Sequence, residues 1–139
     1  MERKKIIVQN EPEQLLRIHA TIEQIGNEWK LDPDLLFRLN LVLEEYVDNL
    51  ISYGYTDKLP HEITLELIKD GNVMEVRVSD DGNPFNILDI PENKEIDKPL
   101  EERSIGGLGI HFIKSFTDDI SYSTSEGINT LNLSIRLND

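Results

Sequence analysis

The spacing of apolar residues changes from a helical period to a strand period between residues 51 and 63, and this change constrains the fold more than any other feature. Before it, apolar residues recur every three or four positions, which predicts two helices. The first helix is predicted from Pro12 to Gly26. The second has Asp32 as its N-cap and Pro33 in its first position, and ends near residues 53–55. Its broad apolar face predicts that the second helix is largely buried.

Beyond residue 63 the apolar residues alternate, as in strands with one buried face. Residues 63–67 and 74–78 flank an Asp-Gly-Asn turn at 70–72, which predicts a β-hairpin. Residues 120–123 and 130–137 predict two closing strands joined through Glu126 and Gly127, and residues 4–8 predict a first short strand. Adjacent antiparallel strands with grouped helices indicate an α+β fold, with the helices on one face of one sheet. The length of 139 residues fits a single domain over 1–139.

Composition narrows the function classes. The formal net charge of −13 argues against nucleic acid or an anionic membrane as a partner, but permits a basic protein or a divalent cation. The chain has no cysteine, which excludes disulfides, a thiolate nucleophile and cysteine-based zinc sites. The apolar run at residues 6–8 is too short for a signal peptide, and no segment reaches the length of a membrane span. We therefore expect a cytoplasmic protein.

The second helix carries a candidate metal and acid–base site. Glu45 and Asn49 are four residues apart, so they share one helix face. An amide oxygen beside a carboxylate suits a hydrated Mg²⁺, and the carboxylate can also accept a proton. The alternative is that Glu44, Glu45 and Asp48 form a solvated stripe, the usual place for charged residues.

Two glycine-containing segments follow this helix. Asp80-Asp81-Gly82 ends a strand, where a fixed carboxylate can accept a hydrogen bond from an exocyclic amine and glycine lets a planar ring approach. Alternatively, the tripeptide is a simple turn. A third helix is predicted from Gly107 through Phe116, with the glycines of residues 106–109 at its start, and backbone N–H groups at a helix start bind phosphate. A hinge or close helix packing would also explain these glycines.

The intervening segment, residues 83–102, is polar, contains three prolines and has no clear period. Inside a compact domain a stretch of this length is usually a functional lid or a disordered loop. The chain contains no P-loop motif, and no Gly-x-Gly-x-x-Gly follows a strand in a β-α-β unit, so neither a P-loop nor a Rossmann site is expected.

In this order, the motifs resemble those of the GHKL (Bergerat-fold) ATPases, and among them the small bacterial anti-sigma factor serine kinases. The family's Glu-x-x-x-Asn corresponds to Glu45 and Asn49, followed by Tyr53-Gly54-Tyr55 where relatives have His-Ala/Gly-Tyr. Its Asp-x-Gly corresponds to residues 80–82, followed by Pro84-Phe85 as in many relatives. Its glycine segment corresponds to residues 102–110, and its late Gly-x-x-Thr to residues 127–130.

The resemblance implies a two-layer sandwich: a mixed, mostly antiparallel sheet with three helices on one face and an ATP lid at about residues 87–105. It also implies roles for individual residues. Glu45 would be the general base, Asn49 the Mg²⁺ ligand, Asp80 the acceptor for the adenine amine, Gly82 the residue beneath adenine and Thr130 a support for the base. The remaining implied nucleotide contacts are Tyr53, Phe85, Arg103, Ser104, Gly106, Gly107, Leu108 and Gly109.

The function implied by the resemblance is that of an ATP- and Mg²⁺-dependent serine/threonine protein kinase that phosphorylates or sequesters a protein partner. That partner would be an anti-sigma antagonist or a sigma factor, and a homodimer is a further implication. The alternative is a nucleotide-gated binding module without chemistry, in which nucleotide changes a partner surface. A two-component histidine kinase is disfavoured, because no helical hairpin bearing a phosphoacceptor histidine precedes the motifs.

Overall fold

The computed structural model describes residues 1–84 and 113–137. Its elements follow the predicted order and confirm the α+β class. They are β1 (Glu2–Gln9), α1 (Gln14–Glu28), α2 (Pro33–Tyr53), β2 (Glu62–Asp70), β3 (Val73–Asp80), β4 (Asp119–Ser125) and β5 (Ile128–Arg136). Of the predicted third helix, residues 113–115 are helical, and its beginning lies outside the described residues.

The strands form one sheet in the order β1-β2-β3-β5-β4. All four pairings between these strands are antiparallel. Both predicted hairpin turns use left-handed backbone conformations, with φ of 62° at Gly71, 53° at Glu126 and 82° at Gly127. Positive φ at these positions matches the right-handed twist of the flanking strands.

The core lies between the helices and one face of the sheet. Alternate residues of the central strands are buried there: Ile63, Leu65 and Leu67 of β2, Met74, Val76 and Val78 of β3, and Leu131, Leu133 and Ile135 of β5. From the helices, the buried residues Ile18, Ile22, Leu39, Leu43 and Leu50 pack into the same core. The opposite sheet face is polar and open, and includes Lys5, Thr64, Glu66, Arg77, Ser79 and Thr130. The two-layer arrangement follows from this alternation.

The helix that carries the predicted site is fixed at both ends. At its start the Asp32 side chain accepts a hydrogen bond from the backbone N–H of Leu35, and Pro33 occupies the first turn. At its end the N–H of Gly54 donates to the carbonyl of Leu50 (2.8 Å), and the carbonyl of Gly54 accepts from the N–H of Asn83 (2.7 Å). The last turn of α2 therefore lies against the end of β3.

Over residues 1–84 and 113–137, no helix is both long enough and apolar enough to cross a bilayer.

Candidate functional site

Asp80 provides a fixed carboxylate at the end of β3. Its side chain is only 3% exposed. Its Oδ2 accepts hydrogen bonds from the backbone N–H of Gly82 (2.9 Å) and from Nδ2 of Asn129 (3.2 Å). Burial raises the pKa of Asp80, while these two bonds oppose the rise and the charge of Asp81 adds to it. Among the hydrogen bonds that join described residues, both that reach this carboxylate end on Oδ2.

Asn129 is the residue that orients this carboxylate. It is the direct cross-strand neighbour of Asp80 and is 1% exposed. Besides Asp80, its Nδ2 bonds the carbonyl of Gly82 (2.9 Å), and its Oδ1 accepts from Oγ1 of Thr124 (3.0 Å). One amide thus holds the carboxylate and the following glycine in fixed positions, and no sequence motif identifies it.

Thr130, predicted to support the base, lies on the other face of the sheet. Its hydroxyl is 3.4 Å from the Ser79 hydroxyl, and both residues line the open polar face. Successive side chains of a strand point to opposite faces of the sheet. Because Leu131 faces the core, its neighbour Thr130 must face away from it. Counting back by two from Leu131 identifies Asn129 as the residue beside Asp80, and the role of Thr130 stays a prediction.

Gly82 is required by close packing between the end of β3 and the end of α2. A Cβ at this position would lie 2.3 Å from the carbonyl oxygen of Gly54 and 3.0 Å from Cε1 of Tyr55. The space that a side chain would occupy is therefore filled by the protein itself. The placement of Gly82 beneath a planar ring stays a prediction.

Gly82→Ala is expected to destabilise the fold by about 3 kcal/mol, because a methyl group would meet backbone that cannot rotate away. Gly71→Ala is the matched control: it has a φ of 62° but open space around it, so only the left-handed backbone costs energy, about 1 kcal/mol. Thermal denaturation of both variants measures the difference. Equal losses would contradict close packing as the reason for the glycine at 82.

Glu45 and Asn49 lie on α2, as predicted, but their surroundings differ. Asn49 is 7% exposed, and its Nδ2 is buried without a hydrogen-bond partner in the described structure. Glu45 is partly buried, and no ion pair between described residues includes it. Its pKa is raised by burial first, and then by the charges of Asp48 and Glu44. Glu44 instead contacts His19, with Oε1 2.9 Å from Nδ1.

Two tyrosines near Asp80, Tyr46 and Tyr55, are not among the predicted site residues. Burial and the negative charge of Asp80 both raise the pKa values of Tyr46 and Tyr55. The Tyr55 hydroxyl is buried without a partner within the described part of the chain. Tyr53, a predicted nucleotide contact, is 51% exposed.

The other predicted contacts lie outside the described residues. They are Phe85, Arg103, Ser104, Gly106, Gly107, Leu108 and Gly109, together with the predicted lid at about 87–105. In the described ranges, no group of three or more His, Asp and Glu side chains is arranged to hold a metal ion. Mg²⁺ takes few protein ligands and completes its shell with water and phosphate, so the assignment of Asn49 as an Mg²⁺ ligand stays a prediction.

Comparison with known proteins identifies the class. Residues 8–135 match the family of histidine kinase-like ATPase domains, and the chain belongs to this family. The predicted resemblance to GHKL proteins and to anti-sigma factor serine kinases is thereby confirmed.

Individual relatives share between a quarter and a third of their aligned residues with this chain. The chain is 28% identical over 96 residues to the serine-protein kinase RsbW of Listeria monocytogenes serotype 4a, covering 67% of this chain and 61% of that protein. It is 33% identical over 96 residues to the anti-sigma F factor of Oceanobacillus iheyensis, covering 66% and 63%. It is 26% identical over 117 residues to RsbW of Bacillus mycoides, covering 82% and 72%. The match to the Listeria protein thus spans about three fifths of that relative.

Solved structures share the fold. The RsbU and RsbW domains of Rv1364c from Mycobacterium tuberculosis match 99% of this chain and 32% of that chain, with a TM-score of 0.71 and 14% identity. The histidine kinase AdeS of Acinetobacter baumannii matches 100% of this chain and 70% of that chain, with a TM-score of 0.52 and 16% identity. At these identities the likeness concerns the fold alone.

Proposed function

We propose that this protein is an ATP- and Mg²⁺-dependent serine/threonine protein kinase of the anti-sigma factor type, with Asp80 as the acceptor for the adenine amine. The observation that carries the proposal is the buried Asp80 carboxylate. Two hydrogen bonds fix its Oδ2, and burying a carboxylate is costly unless a function or a partner offsets the cost. An exocyclic amine bound at Oδ1 would supply the missing donor.

The roles that we propose on α2 are those that the resemblance to GHKL proteins implies. Asn49 would contribute an amide oxygen to Mg²⁺, which neutralises phosphate charge when it is bound. Glu45, one turn earlier, would take the proton from the attacking serine or threonine hydroxyl of the partner. A carboxylate whose pKa is raised and that has no cationic partner among the described residues suits this role. Phosphoryl transfer otherwise requires mainly positioning and charge neutralisation.

The protein partner belongs to the proposal as well. Relatives include an anti-sigma F factor and RsbW serine-protein kinases, which supports an anti-sigma antagonist or a sigma factor as the molecule that is phosphorylated or sequestered. The net charge of −13 favours a partner with a basic contact surface. We place the protein in the cytoplasm and propose a homodimer by the same likeness.

Asn49→Ala is expected to abolish the Mg²⁺-dependent gain in ATP affinity, because the variant loses the amide proposed as the metal ligand. The measurement is isothermal titration with ATP, with and without Mg²⁺. Asn40→Ala is a matched control, since Asn40 is also a buried amide on α2, 4% exposed, but bonds Glu23 (3.1 Å). If both variants keep the gain, Asn49 is not the ligand, and if wild-type protein binds no ATP, the proposed function is wrong.

A further inference from the structure

His61 lies between two carboxylates at the start of β2. Its Nε2 is 2.7 Å from Oδ1 of Asp57, and its Nδ1 is 3.0 Å from Oδ1 of Asp81. The imidazole lies against the ring of Tyr55, with centroids 4.6 Å apart and planes at 23°. Its side chain is only 16% exposed. We call the contacts from Asp57 through His61 to Asp81 the His61 bridge.

The geometry of the bridge defines its protonation state. A carboxylate only accepts hydrogen bonds, and a neutral imidazole has a single N–H. Both short contacts can therefore be hydrogen bonds only when His61 carries two N–H groups and a positive charge. In agreement, the hydrogen bond to Asp57 raises the pKa of His61, burial opposes the rise, and the bond to Asp81 adds to it. The pKa of Asp57 is lowered, chiefly by the same bond to His61.

Among the described residues, the further contacts recorded for His61 are with the uncharged residues Asn10 and Tyr55. Its backbone N–H donates to Oδ1 of Asn10 (2.9 Å), and its carbonyl accepts from the N–H of Asn10 (3.0 Å). These two bonds hold the backbone of His61 at the end of β1. The Tyr55 phenol covers the ring face, and its pKa lies far above neutrality. Within the described ranges, the charged groups in contact with the imidazole are thus Asp57 and Asp81.

The bridge acts next to the proposed adenine site. Asp81 lies between Asp80, the proposed amine acceptor, and Gly82, whose N–H bonds Asp80. Tyr55, on the other side of the bridge, packs against Gly82. The same two segments are also joined by the backbone hydrogen bond from the N–H of Asn83 to the carbonyl of Gly54. Together they hold the segment after α2 against the end of β3.

We propose that His61 is a positioning residue whose protonated form ties residues 54–61 to the end of β3 and thereby holds the adenine side of the nucleotide site in its binding geometry. This inference rests on the proposed function. Loss of the proton leaves a single N–H, which the shorter contact to Asp57 retains, so the hydrogen bond to Asp81 is lost. The end of β3 then loses one tie, and nucleotide affinity falls.

The direction of the pH effect follows from linkage. Because the folded state raises the pKa of His61 above its ordinary value of about 6.5, the bridge is fully formed below that pH and is lost as pH rises through the raised pKa. We expect the affinity for ADP to weaken over the same interval, by about fivefold, the low end of coupling between linked sites. The stability of the fold should also decrease over this interval.

The experiment combines two readouts on the full chain. NMR follows the His61 ring protons from about pH 5 to about pH 9, and calorimetry measures ADP affinity over the same range. Wild type should show a His61 pKa above about 6.5 and a fall in affinity with the same midpoint. His61→Gln should remove this fall, and Asp57→Asn should move the midpoint to lower pH. His19→Gln is the control, since His19 also lies between two carboxylates, Glu23 and Glu44, but on α1.

Two results would overturn the inference: a His61 pKa at or below its ordinary value, or a fall in affinity that persists in His61→Gln. Absence of ADP binding at every pH overturns the proposed function instead, and the link to affinity with it. The two failures are distinguishable, because the NMR titration of His61 needs no nucleotide.

Discussion

Replacing Glu45 with Gln is expected to lower the rate of phosphoryl transfer by about 10²–10⁴-fold, the usual contribution of a general base, while ADP binding is retained. The substitution keeps the size and polarity of the side chain and removes only its capacity to take a proton. Burial and two neighbouring carboxylates raise the pKa of Glu45, so transfer by the wild type should increase with pH through that raised pKa and then level off. The rate of phosphate transfer to the protein partner, measured as a function of pH in the wild type and in Glu45→Gln, reports both effects.

The adjacent carboxylate offers a matched control. Glu44 is on the same helix but contacts His19 on α1, so Glu44→Gln should leave transfer close to that of the wild type. If Glu45→Gln transfers phosphate as fast as Glu44→Gln, the base is another group. If the wild type binds nucleotide but transfers nothing to any partner, the protein is a nucleotide-gated binding module instead.

Asp80→Asn is expected to lower ADP affinity by more than about 100-fold. A hydrogen bond to a charged group is worth about 1.5–3 kcal/mol, and the variant also places two donors opposite each other. The asparagine oxygen can replace Oδ2 and keep the bonds from Gly82 and Asn129. Its amide nitrogen then occupies the place of Oδ1 and presents donors to the adenine amine. Calorimetric titration with ADP measures the loss. Retained affinity would show that Asp80 is not the acceptor.

The same variant should fold normally, and the sign of its stability change is predictable. Because folding raises the pKa of Asp80, this carboxyl lowers the stability of the wild type as pH rises from its unfolded pKa of about 3.9 through the raised value. Asparagine does not titrate, so Asp80→Asn should be at least as stable as the wild type at neutral pH. Thermal denaturation across pH checks this, and it separates a binding defect from a folding defect.

The fold was predictable because the relevant signals are local. The change of apolar period located the helices and the hairpins, and Asp32 with Pro33 marked the start of α2, where the Asp32 side chain does cap the helix. On the same helix, the four-residue interval between Glu45 and Asn49 placed them together. These predictions needed only the geometry of a single helix or strand.

The interior of the site was less predictable because it depends on pairing between distant segments. Asn129 meets Asp80 through the register of β3 and β5, and a family motif directed attention to Thr130, one residue away and on the opposite face. The His61 bridge joins residues 20 positions apart in the sequence. The partners of Gly82 were hidden for the same reason, since its closest neighbour is the carbonyl of Gly54.

The central claim is that Asp80 accepts a hydrogen bond from the adenine amine. The most direct test is to compare the affinities of the wild-type protein for ADP and GDP, both with Mg²⁺. A carboxylate oxygen at Asp80 accepts a bond from the adenine amine but faces the acceptor oxygen of guanine. We therefore predict that ADP binds and that GDP binds at least about 100-fold more weakly, as expected of a site built around a specific hydrogen bond. Equal affinity for the two nucleotides, or no binding of ADP at millimolar concentration, would contradict an adenine site at Asp80.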